Sequence, residues 1–155
     1  MALDNIIYLI IITIVPWIEL RGGIPLGILV YGMDPLLVFA VCVIANILLV
    51  IPAFIILHFV FEWLGTKKWA AKPLQKLHAK SKKYIDKYGF LGLMVFVAVP
   101  LPGTGAYAGS FVAHLFEIEK KRAFIAIALG VIIAGIIVTA ASVGLLPIVK
   151  AVFGI

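Results

Sequence analysis

Helix-breaking residues cut the apolar sequence of this chain into stretches of two lengths, and only the longer kind can cross a bilayer alone. Pro35 to Phe61 would run ~40 Å as a helix and Ala123 to Val143 ~32 Å, against a hydrocarbon core of ~30 Å. The excess in the first predicts tilt, or a kink at Pro52. Asn5 to Pro16, Ile24 to Met33, Gly89 to Val99 and Ala106 to Phe116 reach only ~15–18 Å, about half a crossing. They fall into pairs. Glu19-Leu20-Arg21-Gly22-Gly23 joins the first pair, and Pro100-Leu101-Pro102-Gly103-Thr104-Gly105 joins the second. Hydrophobic residues make up 65% of the chain and charged residues 13%, with mean hydropathy +1.23. Soluble domains hold ~45–50% apolar residues, so the chain reads as an integral membrane protein.

Charge decides how the short pairs run. Eight of the 13 basic residues lie between Trp63 and Tyr88, which makes that connection cytoplasmic by the positive-inside rule. From Pro73 onward its apolar residues fall on one helical face and its lysines on the other, the pattern of an amphipathic helix on an anionic leaflet. If Gly89 to Phe116 crossed outward as one broken span, Lys120, Lys121 and Arg122 would face the exterior, against the same rule. A pair that dips in and returns keeps both basic clusters on one side. The expected fold is therefore all-α, with two inverted repeats, each a re-entrant helical hairpin followed by a long transmembrane helix. Its parts are repeat 1 (5–62), the basic cytoplasmic connection (63–88), repeat 2 (89–143) and a C-terminal segment (144–155), all one membrane domain. Val15-Pro16 and Val99-Pro100 occupy corresponding places. The expected location is the cell membrane, multi-pass, with both termini outside. No basic stretch precedes Asn5 and no small-residue cleavage site follows Pro16, so the first segment is expected to be retained.

Charged residues in the middle of such segments are costly, ~2.5–3.5 kcal/mol each on insertion scales, and point to compensation by protein, water or ligand. Glu19 and Arg21 are that case. Two readings stay open: the pair neutralises itself for the fold, or Arg21 holds an anionic head group while Glu19 exchanges a proton. Gly22 and Gly23 permit close backbone approach, and half-helices starting near Ile24 and Ala106 would aim positive ends inward, favouring an anion. Irregular backbone at membrane depth must be covered, so the two turns should meet inside the protein.

The loops Glu19 to Pro25 and Pro100 to Ser110 resemble the two signature loops of the small multidrug export family of membrane proteins, itself similar to the DedA/VTT superfamily. The resemblance spans most of the chain. It implies facing re-entrant loops and, by analogy with DedA relatives, movement or scrambling of phospholipids or polyprenyl phosphate carriers coupled to protons. From the loops, with Asn46 added as a polar residue in an apolar run, the candidate substrate or ion site comprises Glu19, Arg21, Gly22, Gly23, Pro25, Asn46, Pro100, Pro102, Gly103, Thr104, Gly105 and Tyr107. DedA proteins typically carry arginines around the second turn. None is near Pro102-Gly103-Thr104-Gly105, which leaves Arg21 as the one positive charge.

The other polar residues have structural readings. Asn46 suits an interhelical hydrogen bond or a cavity wall, and His58 and His114 sit near segment ends. Gly105 with Gly109, and Ala126, Gly130 and Ala134, form small faces for close helix packing. Cys42 is the one cysteine, so no intrachain disulfide can form. No spacing suggests a metal site, a nucleophile or a phosphate loop, so neither catalysis nor a cofactor is expected. The expected partners are membrane lipids and a coupling proton rather than nucleic acid, and a homo-oligomer is compatible with the sequence. Three functions compete: a transporter or scramblase of an anionic lipid or amphiphilic anion, a proton-coupled exporter of small cations, and a non-transporting scaffold.

Overall fold

Why the first apolar segment stops where it does is written at Pro16. In the computed structural model, which describes residues 2–66, 89–101 and 103–153, helix α1 (Ala2–Ile14) ends just before it. A proline disfavours helical geometry in the residue before it and has no N–H to continue the ladder. Trp17 (φ 77°) and Glu19 (φ 48°) then take left-handed backbone conformations that turn the chain. Helix α2 (Glu19–Pro25) begins at the acidic residue and passes into a single π turn (Leu26–Val30). The π register follows Pro25, whose missing N–H interrupts the regular ladder. From there Tyr31 N–H reaches back to the Leu26 carbonyl at 3.1 Å.

The break thus lies at residues 15–18, not at the expected Glu19 to Gly23. Gly22 and Gly23 are helical, and what they supply is room. A Cβ on Gly23 would collide with Thr13 Oγ1 and stand 3.2 Å from Cys42 Sγ. The half-helix expected to begin near Ile24 begins at Glu19 instead.

Asp34 caps the next helix through its side chain, accepting the Leu37 N–H at 2.9 Å, and Pro35 fills the first helical position. Helix α3 (Pro35–Gly65) runs through Pro52 without interruption. After the basic connection, whose expected amphipathic helix lies outside the described residues, come α4 (Gly89–Ala98), a break, α5 (Ala106–Leu115) and α6 (Lys120–Phe153). Helix α6 extends well beyond the expected Val143 and continues through Pro147. The described residues are helical apart from the breaks and connections, and α3 and α6 each contain a stretch long and apolar enough to cross a membrane.

The short helices fill the space against the long ones. Helix α2 touches α1, α3 and α6 and buries Leu20 and Ile24, and the π turn after it buries Ile28. Helix α5 lies against α3 and α6. On α6, Ala123, Ala126, Ile127, Val131, Ala134 and Val138 form one buried stripe at helical spacing. Gly130 lets α4 come close: a Cβ there would stand 2.7 Å from the Met94 carbonyl and from Val97 Cβ. The opposite faces are apolar and, among the described residues, exposed, including Leu36, Ile44, Leu48, Ile55 and Phe59 on α3 and Ile125, Leu129, Ile133 and Ile136 on α6. Contiguous exposed apolar faces of this extent suit a lipid solvent rather than water.

Candidate functional site

The second break leaves two helix ends open inside the protein. Helix α4 ends with carbonyls that have no partner further along, and α5 begins with N–H groups that have none behind them. Gly103 (φ 87°) and Gly105 (φ 123°) make the reversal possible, since both conformations strongly favour glycine.

The charged pair on α2 closes both ends. Glu19, 2% exposed, reaches the start of α5, where Oε1 accepts the Tyr107 N–H at 3.1 Å and Oε2 accepts the Ala106 N–H at 3.2 Å. Arg21 turns to the end of α4. Its Nη2 lies 3.2 Å from the carbonyls of Val97 and Val99 and donates to Thr104 Oγ1 at 2.7 Å. Its Nη1 binds Glu19 Oε2 at 3.0 Å. Each charge therefore meets the helix end of opposite polarity, carboxylate at an N-terminus and guanidinium at a C-terminus, and the two meet each other. Arg21 Nε is buried with no hydrogen-bond partner among the described residues.

The first break is closed from the second pair in return. Tyr107 donates its hydroxyl to the Ile14 carbonyl at the end of α1, at 2.7 Å. Asn46 Nδ2 approaches the neighbouring Thr13 carbonyl at 3.5 Å, the long limit of a hydrogen bond. Gly105 seals the contact, because a Cβ there would run into Glu19 Oε2 and Arg21 Nη1.

Beside this junction lies a cavity of about 360 Å³, lined by Pro16, Trp17, Glu19, Gly103, Thr104, Tyr107, Ala108 and Phe111. Glu19 forms part of its wall, while Arg21 does not line it. Its surface combines one carboxylate, two hydroxyls and three aromatic rings.

Of the residues the sequence nominated, the structure gathers Glu19, Arg21, Gly103, Thr104, Gly105 and Tyr107 here. Gly22, Gly23 and Pro25 lie along α2 as packing and ladder residues, and Asn46 pairs across α1 and α3. Pro100 belongs to the connection between α4 and α5, and Pro102 is outside the described residues. Gly109 has the packing role expected of it, against Val97 and Ile127, whereas Gly105 belongs to the junction rather than to a packing face. Sequence reading missed Pro16, Trp17, Ala108 and Phe111 on the cavity wall, and the carbonyls of Val97, Val99 and Ile14. The Pro-Trp dipeptide ahead of the charged pair was a usable signal. The carbonyls carried none, because every residue has one.

A bundle with two bilayer-length apolar helices, lipid-suited outer faces and a charged pair buried at an internal junction is a helical membrane protein. The chain belongs to the family described as "Putative small multi-drug export protein", whose model matches residues 19–137, from Glu19 well into α6. No curated protein and no solved structure matches the chain.

Proposed function

We propose that the protein is a proton-coupled transporter of amphiphilic anions in the cell membrane, with its binding site at the junction of the two helix breaks. The observation that carries this reading is that Arg21 and the start of α5 converge on one carboxylate beside a cavity. Without that carboxylate, the first N–H groups of α5 and the guanidinium behind them would be left without their anion beside a small semi-apolar space. Membership of an export family supports transport in the broader sense.

The topology belongs to the same proposal. α1, α4 and α5 are each ~15–20 Å long, about half of the hydrocarbon core. Each short pair is thus a re-entrant hairpin, and hairpin plus long helix occurs twice with opposite orientation, which brings both breaks to the midplane. The basic connection 63–88 and Lys120–Arg122 are cytoplasmic, and both termini are outside.

Export of a small cation is the second reading, supported by the rings of Trp17, Tyr107 and Phe111 on the same wall as Glu19. Against it, Glu19 already holds Arg21 and two backbone N–H groups, which leaves little negative charge for a cationic guest. The deciding experiment is flux from proteoliposomes under an imposed pH gradient, with amphiphilic anions, anionic lipids and amphiphilic cations as substrates. Proton-dependent anion flux that Arg21→Gln abolishes is the expected result. Cation flux alone would favour the second reading, and no flux of any kind would leave a scaffold.

A further inference from the structure

Arg21 and the first N–H groups of α5 are a built anion seat, and the anion in it is the protein's own. The donors serve two oxygens: one N–H to Oε1, and one N–H with one guanidinium N–H to Oε2. The seat is closed on the α5 side by Gly105, where no side chain fits, and opens toward the aromatic cavity of Pro16, Trp17, Tyr107 and Phe111. We infer that Glu19 is a tethered stand-in for the substrate, that the substrate class is a carboxylate-headed amphiphile, and that it takes the seat only when Glu19 is protonated and leaves it. This rests on the transport reading above and supplies its coupling.

Three observations support it. The first is stoichiometric. A carboxylate offers two oxygens to the three donors present, whereas a phosphate monoester would bring a third oxygen and a second charge with no donor assigned to them. The second is Arg21 Nε, a buried donor without a partner among the described residues, so Glu19 leaves part of the guanidinium's hydrogen-bonding capacity unused. The third is strain: Glu19 itself is held at φ 48°. A non-glycine residue in that region is held there by its surroundings, and the three donors at the Glu19 carboxylate are among them.

Few other groups can produce the pH dependence. Arg21 faces Glu19 from its own helix and Tyr107 from α5, with its hydroxyl given to Ile14. On α1, Asp4 and Tyr8 precede the core-facing turn, and the apolar stretch of α4 has no ionisable residue. On α3, Cys42 is bonded to Thr13, Asp34 caps the start, and His58 and Glu62 stand with His114 around another cavity at the end of α5 away from Glu19. α6 has none between Arg122 and Lys150. A substrate carboxylate and the Glu19 carboxylate compete for one seat, so one proton must enter for each anion that binds, and binding strengthens as pH falls.

The test is equilibrium binding of sodium decanoate to the purified, detergent-solubilised chain, separate from any flux measurement. Above the ordinary carboxyl range, between about pH 8 and about pH 5.5, wild-type affinity should rise at least ~tenfold, while in Glu19→Gln it should change less than ~twofold. Glu19→Ala supplies a second arm, with the seat emptied: acetate should raise its melting temperature saturably and chloride should not. Decanoate affinity in the wild type that ignores pH, or loss of decanoate binding in a folded Glu19→Gln, would overturn the stand-in. Tighter binding of decyl phosphate, or binding of decylammonium in place of decanoate, would overturn the substrate class. Binding as expected without flux would retain the seat and reject transport; flux without pH-linked binding would do the reverse.

Discussion

Gly105 is the residue on which the junction is least forgiving. A methyl group there collides with both members of the charged pair, and φ 123° is unfavourable for any side chain. Gly105→Ala should cost ~1–3 kcal/mol from overpacking and ~1–3 kcal/mol more from backbone strain, read as a fall in thermal stability. Glu19 and Arg21 call for a mutant cycle. Either single change to Gln leaves the other charge buried without its partner, a loss of ~3–5 kcal/mol. The double change should not restore wild-type stability, because each charge also closes its own helix end: Glu19 the start of α5, Arg21 the end of α4. Full recovery in the double mutant would show that the mutual attraction alone matters and that the capping contacts contribute nothing.

At the scale of elements, two bonds to main chain deserve separate measurement. Asp34→Ala should lower stability by ~0.5–2 kcal/mol through loss of the α3 cap. Tyr107→Phe should lower it by ~0.5–1.5 kcal/mol, since it deletes the bond to Ile14 and keeps the ring on the cavity wall. Helix existence and order were legible in the sequence, because apolar runs between prolines and glycines admit little else in lipid. Helix boundaries were less so. Gly22-Gly23 looked like a break and proved to be packing room, since glycine serves both uses and only the neighbouring Thr13 and Cys42 tell them apart. The junction was half legible. Two charges in an apolar run marked where it is, but their reach to Ala106, Tyr107, Val97 and Val99 depends on distances across the fold that no local pattern encodes.

For the whole molecule, the proposed topology is tested by single-cysteine labelling. Cys42 is fully buried and should stay silent, so the native chain is a usable background. Lys87→Cys and Lys120→Cys should react from the same side of the membrane; labelling from opposite sides would eliminate the hairpin arrangement. The reciprocal closure of the breaks also has a meaning for biogenesis. The ribosome delivers α1 to α3 before α4 to α6 exist, so in the proposed topology Glu19 and Arg21 enter the bilayer with neither of the helix ends they will hold. Until the second half arrives, the first is a client for whatever inserts it, and its charges must wait near water or under a chaperone. Two separately expressed halves, cut within the basic connection, should accordingly accumulate only when made together.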